Sequence, residues 1–440
     1  MVYRQNQHKN LNIFVKGNNM NQGIKIHLIN TNKFKTNLIA IFLSTPLERE
    51  NVTKNAVLSA VLRRGCEEFK DQEEISKELE EIYGADFDCG LDKIGKNHVF
   101  KFYIESINDE YLPKKNENLL QKSIDMLAEI VFDPFIQEEK FCKDYVNQEK
   151  ENIKQIIEGK KDNKSSYSLF RCMEEMYKNE PEGLYKYGYV EDLEKIDEKN
   201  LYEYYKKLIN ECKIDIFVSG KIENADVKRI LEENKNIKKL DSRDPIYNKK
   251  EFKKKKQLEK ENIVNENQEV TQGKLVIGYD VINSENDEFD KNLKYIGMMY
   301  NAILGGTANS KLFQNVREKA SLAYTANSRY YYNYGNILVM AGIEISNYEK
   351  ALKIIKEQVE AMEKSDFSDE DISNAKKIII SNIESISDEQ DSEIIYFFGQ
   401  ELSEDNISIE QYVEFIKKVN REEIVEFAKK IKINTIYFLK

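Results

Sequence analysis

The chain has 440 residues, 40% of them apolar and 33% charged, which is too long for one ordinary core and predicts two or three domains. Its 67 basic and 78 acidic residues leave a net charge of −11, which argues against nucleic acid as the main partner, since phosphate binding needs a basic face. No run approaches the ~18 apolar residues of a membrane span, and the polar first ten residues lack the apolar core of an export signal, so no membrane role is expected and the reading places the chain in the cytoplasm.

In chain order, Ile24–Asn30 alternates as a strand, and Leu38–Leu43 makes Thr36–Ser44 a second, more apolar one that ends at Pro46. A helix from about Thr53 carries Ala56, Val57, Ala60, Val61 and Leu62 inward and stops at Gly65; Ile75–Tyr83 is a second helix, closed by Gly84. Asp86–Ile94 and Asn97–Ser106 read as a hairpin around Gly95. Glu117–Val131 is amphipathic, and a long charged helix runs from Gln137 to about Lys160. Helices over Ser165–Lys178 and Lys199–Ile209 lead to a strand at Ile214–Ser219.

The second half repeats this order. Leu275–Val281 is a strand, Phe289–Leu304 a helix ending in Gly305-Gly306, and Lys311–Lys319 a second helix that Asn309 or Ser310 can cap. Ala323–Tyr332 and Asn336–Glu344 form a hairpin around Gly335. An amphipathic helix over Tyr348–Lys364, a long charged one over Asp369–Ser385, a segment at Ile409–Val419 and a strand at Thr435–Leu439 follow. Phe102–Glu105 lines up with Ala341–Glu344, and Tyr204–Lys207 with Phe415–Lys418. Two copies of one α+β fold is the economical reading, each an antiparallel sheet covered by helices. The domains are placed at 1–235 and 263–440, with a charged linker at 236–262 whose lysine-rich run, Lys249–Lys256, reads as solvated chain.

Familiar catalytic patterns are missing. The three histidines, His8, His27 and His98, include no pair at metal-binding helical spacing, and there is no Gly-x-Ser-x-Gly elbow or phosphate-binding loop. The five cysteines are scattered, with no Cys-x-x-Cys, and read as reduced packing thiols. The stretch Leu304–Tyr324 is the informative one. Leu312, Phe313 and Val316 turn inward, and Arg317 and Tyr324 stand seven residues apart where helix gives way to strand. A permanent cation and a phenol there suit gripping a carbonyl or oxyanion; equally, they are a surface Arg and a half-buried strand Tyr.

Two tandem α+β copies, the Leu304–Tyr324 motif, and Leu127–Phe135 followed by Phe141 resemble the pitrilysin/insulinase superfamily of zinc metallopeptidases, over nearly the whole chain. The resemblance implies two homologous domains forming a half-clamshell. It also exposes a departure. Active members carry His-x-x-Glu-His on the first helix of the first copy, and the matching positions here are Ala56, Ser59 and Ala60, with Glu158 at the expected third ligand. No zinc or other cofactor is therefore expected in this chain. Some bacterial members divide the work between two half-size chains, one bearing the zinc motif and the other the Arg and Tyr; the sequence resembles the second kind, its YmfF-like subgroup. The resemblance then implies a heterodimer with a zinc-bearing subunit, or a homodimer in its absence. Arg317 and Tyr324 would bind a peptide's carbonyl, and Gly305 and Gly306 would form a substrate-facing loop. The alternative is a structural or peptide-binding protein of the same fold. A metal site built from Glu and Cys is a further, weaker reading.

Overall fold

The computed structural model describes residues 13–21 (as backbone), 23–113, 117–240, 243, 245, 258–282 and 292–440. The Lys249–Lys256 run and the start of the helix predicted from Phe289 lie outside them. The first half runs β1 (Ile13–Asn21), β2 (Ile24–Asn30), β3 (Thr36–Pro46), α1 (Val52–Leu62), α2 (Gln72–Glu81), β4 (Asp86–Ile94), β5 (Asn97–Ile107) and α3 (Leu119–Phe132). A short ribbon, β6 (Ile136–Gln137) and β7 (Lys140–Phe141), then precedes α4 (Lys143–Gly159), so the long helix starts six residues later than its charge pattern suggested. Next come α5 (Lys164–Met176), α6 (Val190–Leu193), α7 (Glu198–Glu211), β8 (Lys213–Gly220), α8 (Asn224–Glu233) and α9 (Lys235–Lys238).

The second half runs β9 (Asn262–Glu266), β10 (Gly273–Val281), α10 (Leu293–Asn301), β11 (Ala323–Tyr331), β12 (Asn336–Ile343), α11 (Tyr348–Glu363), α12 (Asp369–Glu384), α13 (Gln390–Ser403), α14 (Ile409–Lys418), α15 (Arg421–Lys429) and β13 (Ile431–Leu439). The aligned tetrapeptides of the two halves fall on β5 and β12, and on α7 and α14. The α+β class holds. Each sheet is antiparallel except for one parallel pair, β2 with β8 and β13 with β9.

The chain divides into two compact units, and each takes one helix from the other half of the sequence. The first comprises Met1–Glu158, Leu184–Lys249 and Ser387–Leu402; the second comprises Gly159–Gly183, Lys250–Ile386 and Ser403–Lys440.

In the first unit the sheet order is β1-β2-β8-β3-β5-β4. Its centre is apolar on both faces, which is why Leu38–Leu43 reads as an unbroken run. Ile39, Ile41 and Leu43 face one core, with α1 and α3. Leu38, Ala40 and Phe42 face another, built with Ile394, Phe397 and Phe398 of α13. The Phe398 and Phe42 rings stack at 4.0 Å, and Gln390 at the head of α13 donates to the backbone oxygens of Ser219 (3.2 Å) and Thr36 (3.3 Å).

The second unit has the order β11-β12-β10-β13-β9. Helix α5 covers one face, packing Tyr167, Cys172 and Met173 on Val276, Leu338 and Tyr437. Gly278 makes this approach possible, because a Cβ there would stand 2.2 Å from Met176 Sδ. The helix is tied at its flank by Glu266, which accepts from Tyr167 Oη (2.7 Å), Tyr437 Oη (2.8 Å) and Arg171 Nε (3.2 Å). No described helix is long and apolar enough to cross a membrane.

Candidate functional site

In the second unit, Leu304–Tyr324 is less regular than its periodicity suggested. The chain leaves α10 through a π-helical turn, Ala302–Gly306, and the next helix is π-helical over Phe313–Lys319. Such widened turns are rare and occur frequently at functional sites. Leu312 and Val316 are fully buried and anchor the helix, and Asn315 Nδ2 donates to Gln358 Oε1 at 2.8 Å. Phe313 is only half-buried, and Arg317 one turn later lies over its ring at 4.7 Å. The expected caps do not form: Asn309 is exposed, and the buried Ser310 Oγ has no hydrogen-bond partner among the described residues.

Arg317 and Tyr324 both reach solvent. The Arg317 side chain is 46% exposed, with Nε 3.5 Å from Glu318. Tyr324 is 61% exposed, and its side chain makes no hydrogen bond among the described residues. Its exposure has a backbone cause. Ala323 pairs with Ile343 and Thr325 with Gly342, so two steps on β11 oppose one on β12. Tyr324 is the extra residue of a β-bulge, and both it and Thr325 turn outward on an edge strand.

The glycines divide. Gly306 is exposed. Gly305 is buried, and a Cβ there would meet Ser328 N and Leu312 Cδ1 at 2.6 Å. Gly305 therefore lets the π-turn press against β11, whereas the sequence reading puts it in a substrate-facing loop.

In the first unit, Ala56, Ser59 and Ala60 come together on one face of α1, as the motif spacing requires, and line a cavity of about 360 Å³. Helix α1 is held there by polar ties. Buried Asn55 bonds His98 Nδ1 (2.9 Å) and accepts from Tyr204 Oη (2.7 Å), and Thr53 Oγ1 donates to Asp192 (3.2 Å). Burial pushes the His98 imidazole down to about 4, so it stays neutral near pH 7.

Across the cavity, α4 presents Glu149, Asn152, Ile153 and Ile156, a stripe at helical spacing. Edge strand β4 adds Cys89, Gly90 and Leu91, and Arg63, Arg64, Gln72 and Tyr187 complete the wall. Glu158 does not join them. It lies nine residues past Glu149, about half a turn round α4, and is exposed. The carboxylate at the cavity is Glu149, which a single sequence could not distinguish among so many acidic residues on α4.

This wall does not suit zinc. Two alanines offer no donor, and the Ser59 hydroxyl is a poor one. Glu149, with a side chain 8% exposed, is already bonded to Arg64 Nε and accepts from Asn152 Nδ2 at 3.0 Å. Burial, opposed by the Arg63 charge, pushes the Cys89 thiol up to about 11, and burial likewise holds Cys66 and Cys212 near about 11. These groups are protonated thiols near pH 7.

One cluster has no sequence signature. His27, Asp215 and Glu401 come from β2, β8 and α13, and their ligand-type atoms lie within 4.8 Å of one another. His27 Nε2 stands 2.8 Å from Asp215 Oδ1, with the ring stacked on Phe217 at 4.1 Å. Two ammonium groups already supply the positive charge. Lys213 Nζ lies 2.9 Å from Glu401 and 3.5 Å from Asp215, and Lys25 also bonds Glu401. The arrangement is an ion-paired seam fastening α13 to the sheet.

Fold and site thus define a chain built on a metallopeptidase plan with the metal-binding groups replaced. Residues 195–379 match the profile of the Peptidase M16 inactive domain. The chain is 35% identical over 423 residues to the probable inactive metalloprotease YmfF of Bacillus subtilis (strain 168), covering 95% of this chain and 96% of that one. A conserved protein from Enterococcus faecalis V583 superposes with a TM-score of 0.85 at 27% identity, over 95% of this chain and 96% of that one. A peptidase M16 inactive domain from Pseudomonas fluorescens shares the fold, with a TM-score of 0.78 at 17% identity over 96% and 97% of the two chains. The chain belongs to the M16 (pitrilysin/insulinase) metallopeptidase family, as an inactive, YmfF-like member.

Proposed function

We propose that this chain is the non-catalytic half of a two-chain zinc peptidase in the cytoplasm, lending Arg317 and Tyr324 to a partner subunit that carries His-x-x-Glu-His. The observation that carries the reading is the β-bulge at Tyr324. It spends regular pairing to hold a phenol in solvent, in a unit that also leaves the Arg317 guanidinium half-exposed and needs neither for its core. Neutral phenol and permanent cation are the donors that steady a carbonyl oxygen as it gains charge. This chain's part is to bind and orient a peptide; bond cleavage belongs to the zinc of the partner.

The test is reconstitution. Each chain alone should leave a fluorogenic peptide intact, and a mixture with a zinc-bearing M16 subunit should elute as one species on size exclusion and cleave it. Full activity of the zinc-bearing chain by itself overturns the reading.

A further inference from the structure

The cavity beneath Ala56, Ser59 and Ala60 keeps a charge pattern of its own. Its ionised wall groups are Arg63, Arg64 and Glu149, because the Cys89 thiol is protonated. Arg64 and Glu149 pair with each other. The Arg63 guanidinium makes no hydrogen bond or ion pair among the described residues, yet it lines the cavity at the end of α1. One uncompensated positive charge therefore faces the cavity that Ala56, Ser59 and Ala60 line. A guanidinium differs from a metal in what it selects: it grips a planar carboxylate through two parallel N–H donors and does not activate water. Ala56, Ala60, Leu91, Ile153 and Ile156 form an apolar part of the wall, beside the uncharged polar Ser59, Gln72, Asn152 and Tyr187, around a volume of about 360 Å³. That size suits one or two amino-acid residues.

We infer that this cavity binds the free carboxyl end of a peptide, the α-carboxylate on Arg63 and an apolar last side chain against Ala56, Ala60, Leu91 and Ile153. The first unit would then be a chain-end receptor in its own right, independent of what Arg317 and Tyr324 do. A peptide with its end tied down here would be retained without being cut.

The test is fluorescence anisotropy on the full-length chain with three fluorescein-labelled tripeptides. One ends in Leu as the free acid, one in Leu amide, and one in Glu amide, which offers only a side-chain carboxylate. The free acid should bind roughly tenfold tighter than either amide, the scale of one charge-assisted contact. Arg63→Ala should abolish that preference. Arg63 is exposed, so an unchanged unfolding temperature will show that the variant folds. Ala60→Phe, which fills the cavity while keeping Arg63, should weaken the free acid without restoring the amides. Equal affinity for acid and amide overturns the inference, as does a preference that survives Arg63→Ala. Equal binding of the Glu amide overturns the chain-end assignment, and no binding at millimolar peptide overturns it as well.

Discussion

Removing the Arg64 side chain asks how firmly its ion pair with Glu149 holds the cavity wall. Arg64→Ala leaves the Glu149 carboxylate, 8% exposed, with the Asn152 amide as its remaining partner. Stripping one member from a fully buried pair costs about 3–5 kcal/mol. Arg64 is itself 21% exposed and the cavity can admit water, so the expected loss is about 2 kcal/mol. Removing both charges with Arg64→Met and Glu149→Gln should recover all but about 1 kcal/mol, because the neutral amide no longer needs a counter-ion. Urea unfolding followed by far-UV circular dichroism gives the free energies. Hydrogen exchange of the α4 amides assigns them to the first unit, since a two-unit chain need not unfold in one step. A loss below about 0.5 kcal/mol for Arg64→Ala, or a double variant that loses the sum of the two singles, refutes the reasoning.

The seam beneath α13 should show in acid. Burial alone would raise the Glu401 pKa, but Lys25 and Lys213 hold it down, from 4.5 to about 2. The folded value is the lower one, so the contribution is complete above about pH 4.5 and disappears as the pH falls toward 2. Glu401→Gln should cost about 2 kcal/mol at pH 7, allowing for solvent around Lys25, and should flatten the loss of stability between pH 4.5 and 2. Parallel acid limbs in thermal unfolding contradict this. Restoring the motif by Ala56→His, Ser59→Glu and Ala60→His should still give poor zinc retention, because Arg64 occupies Glu149. Adding Arg64→Met should tighten zinc at least about tenfold by competition with a chelator. Equal retention with and without the fourth substitution would show that Glu149 is not the missing ligand.

Much of this was legible in the residues. The repeat, the hairpins and the amphipathic helices follow from periodicity and from Gly65, Gly84 and Gly335, and the chain holds no His-x-x-Glu-His. What escaped depends on pairings distant in the chain. Nothing local shows that α5 and α13 each join the unit built by the other half, although the unbroken apolar run Leu38–Leu43 asks for a cover on both faces. The choice of Glu149 over Glu158 turns on which face of α4 meets α1. The bulge at Tyr324 is a slip in register between two strands, and a regular alternation of residues cannot announce it.

The most direct measurement of the central claim is the peptidase rate of the reconstituted pair with Arg317→Ala or Tyr324→Phe in this chain. Both side chains are exposed, so unfolding and complex formation should be unchanged while kcat falls about 10²-fold, the usual effect of removing one oxyanion donor. A mixture that cleaves at the wild-type rate with either variant would contradict the account.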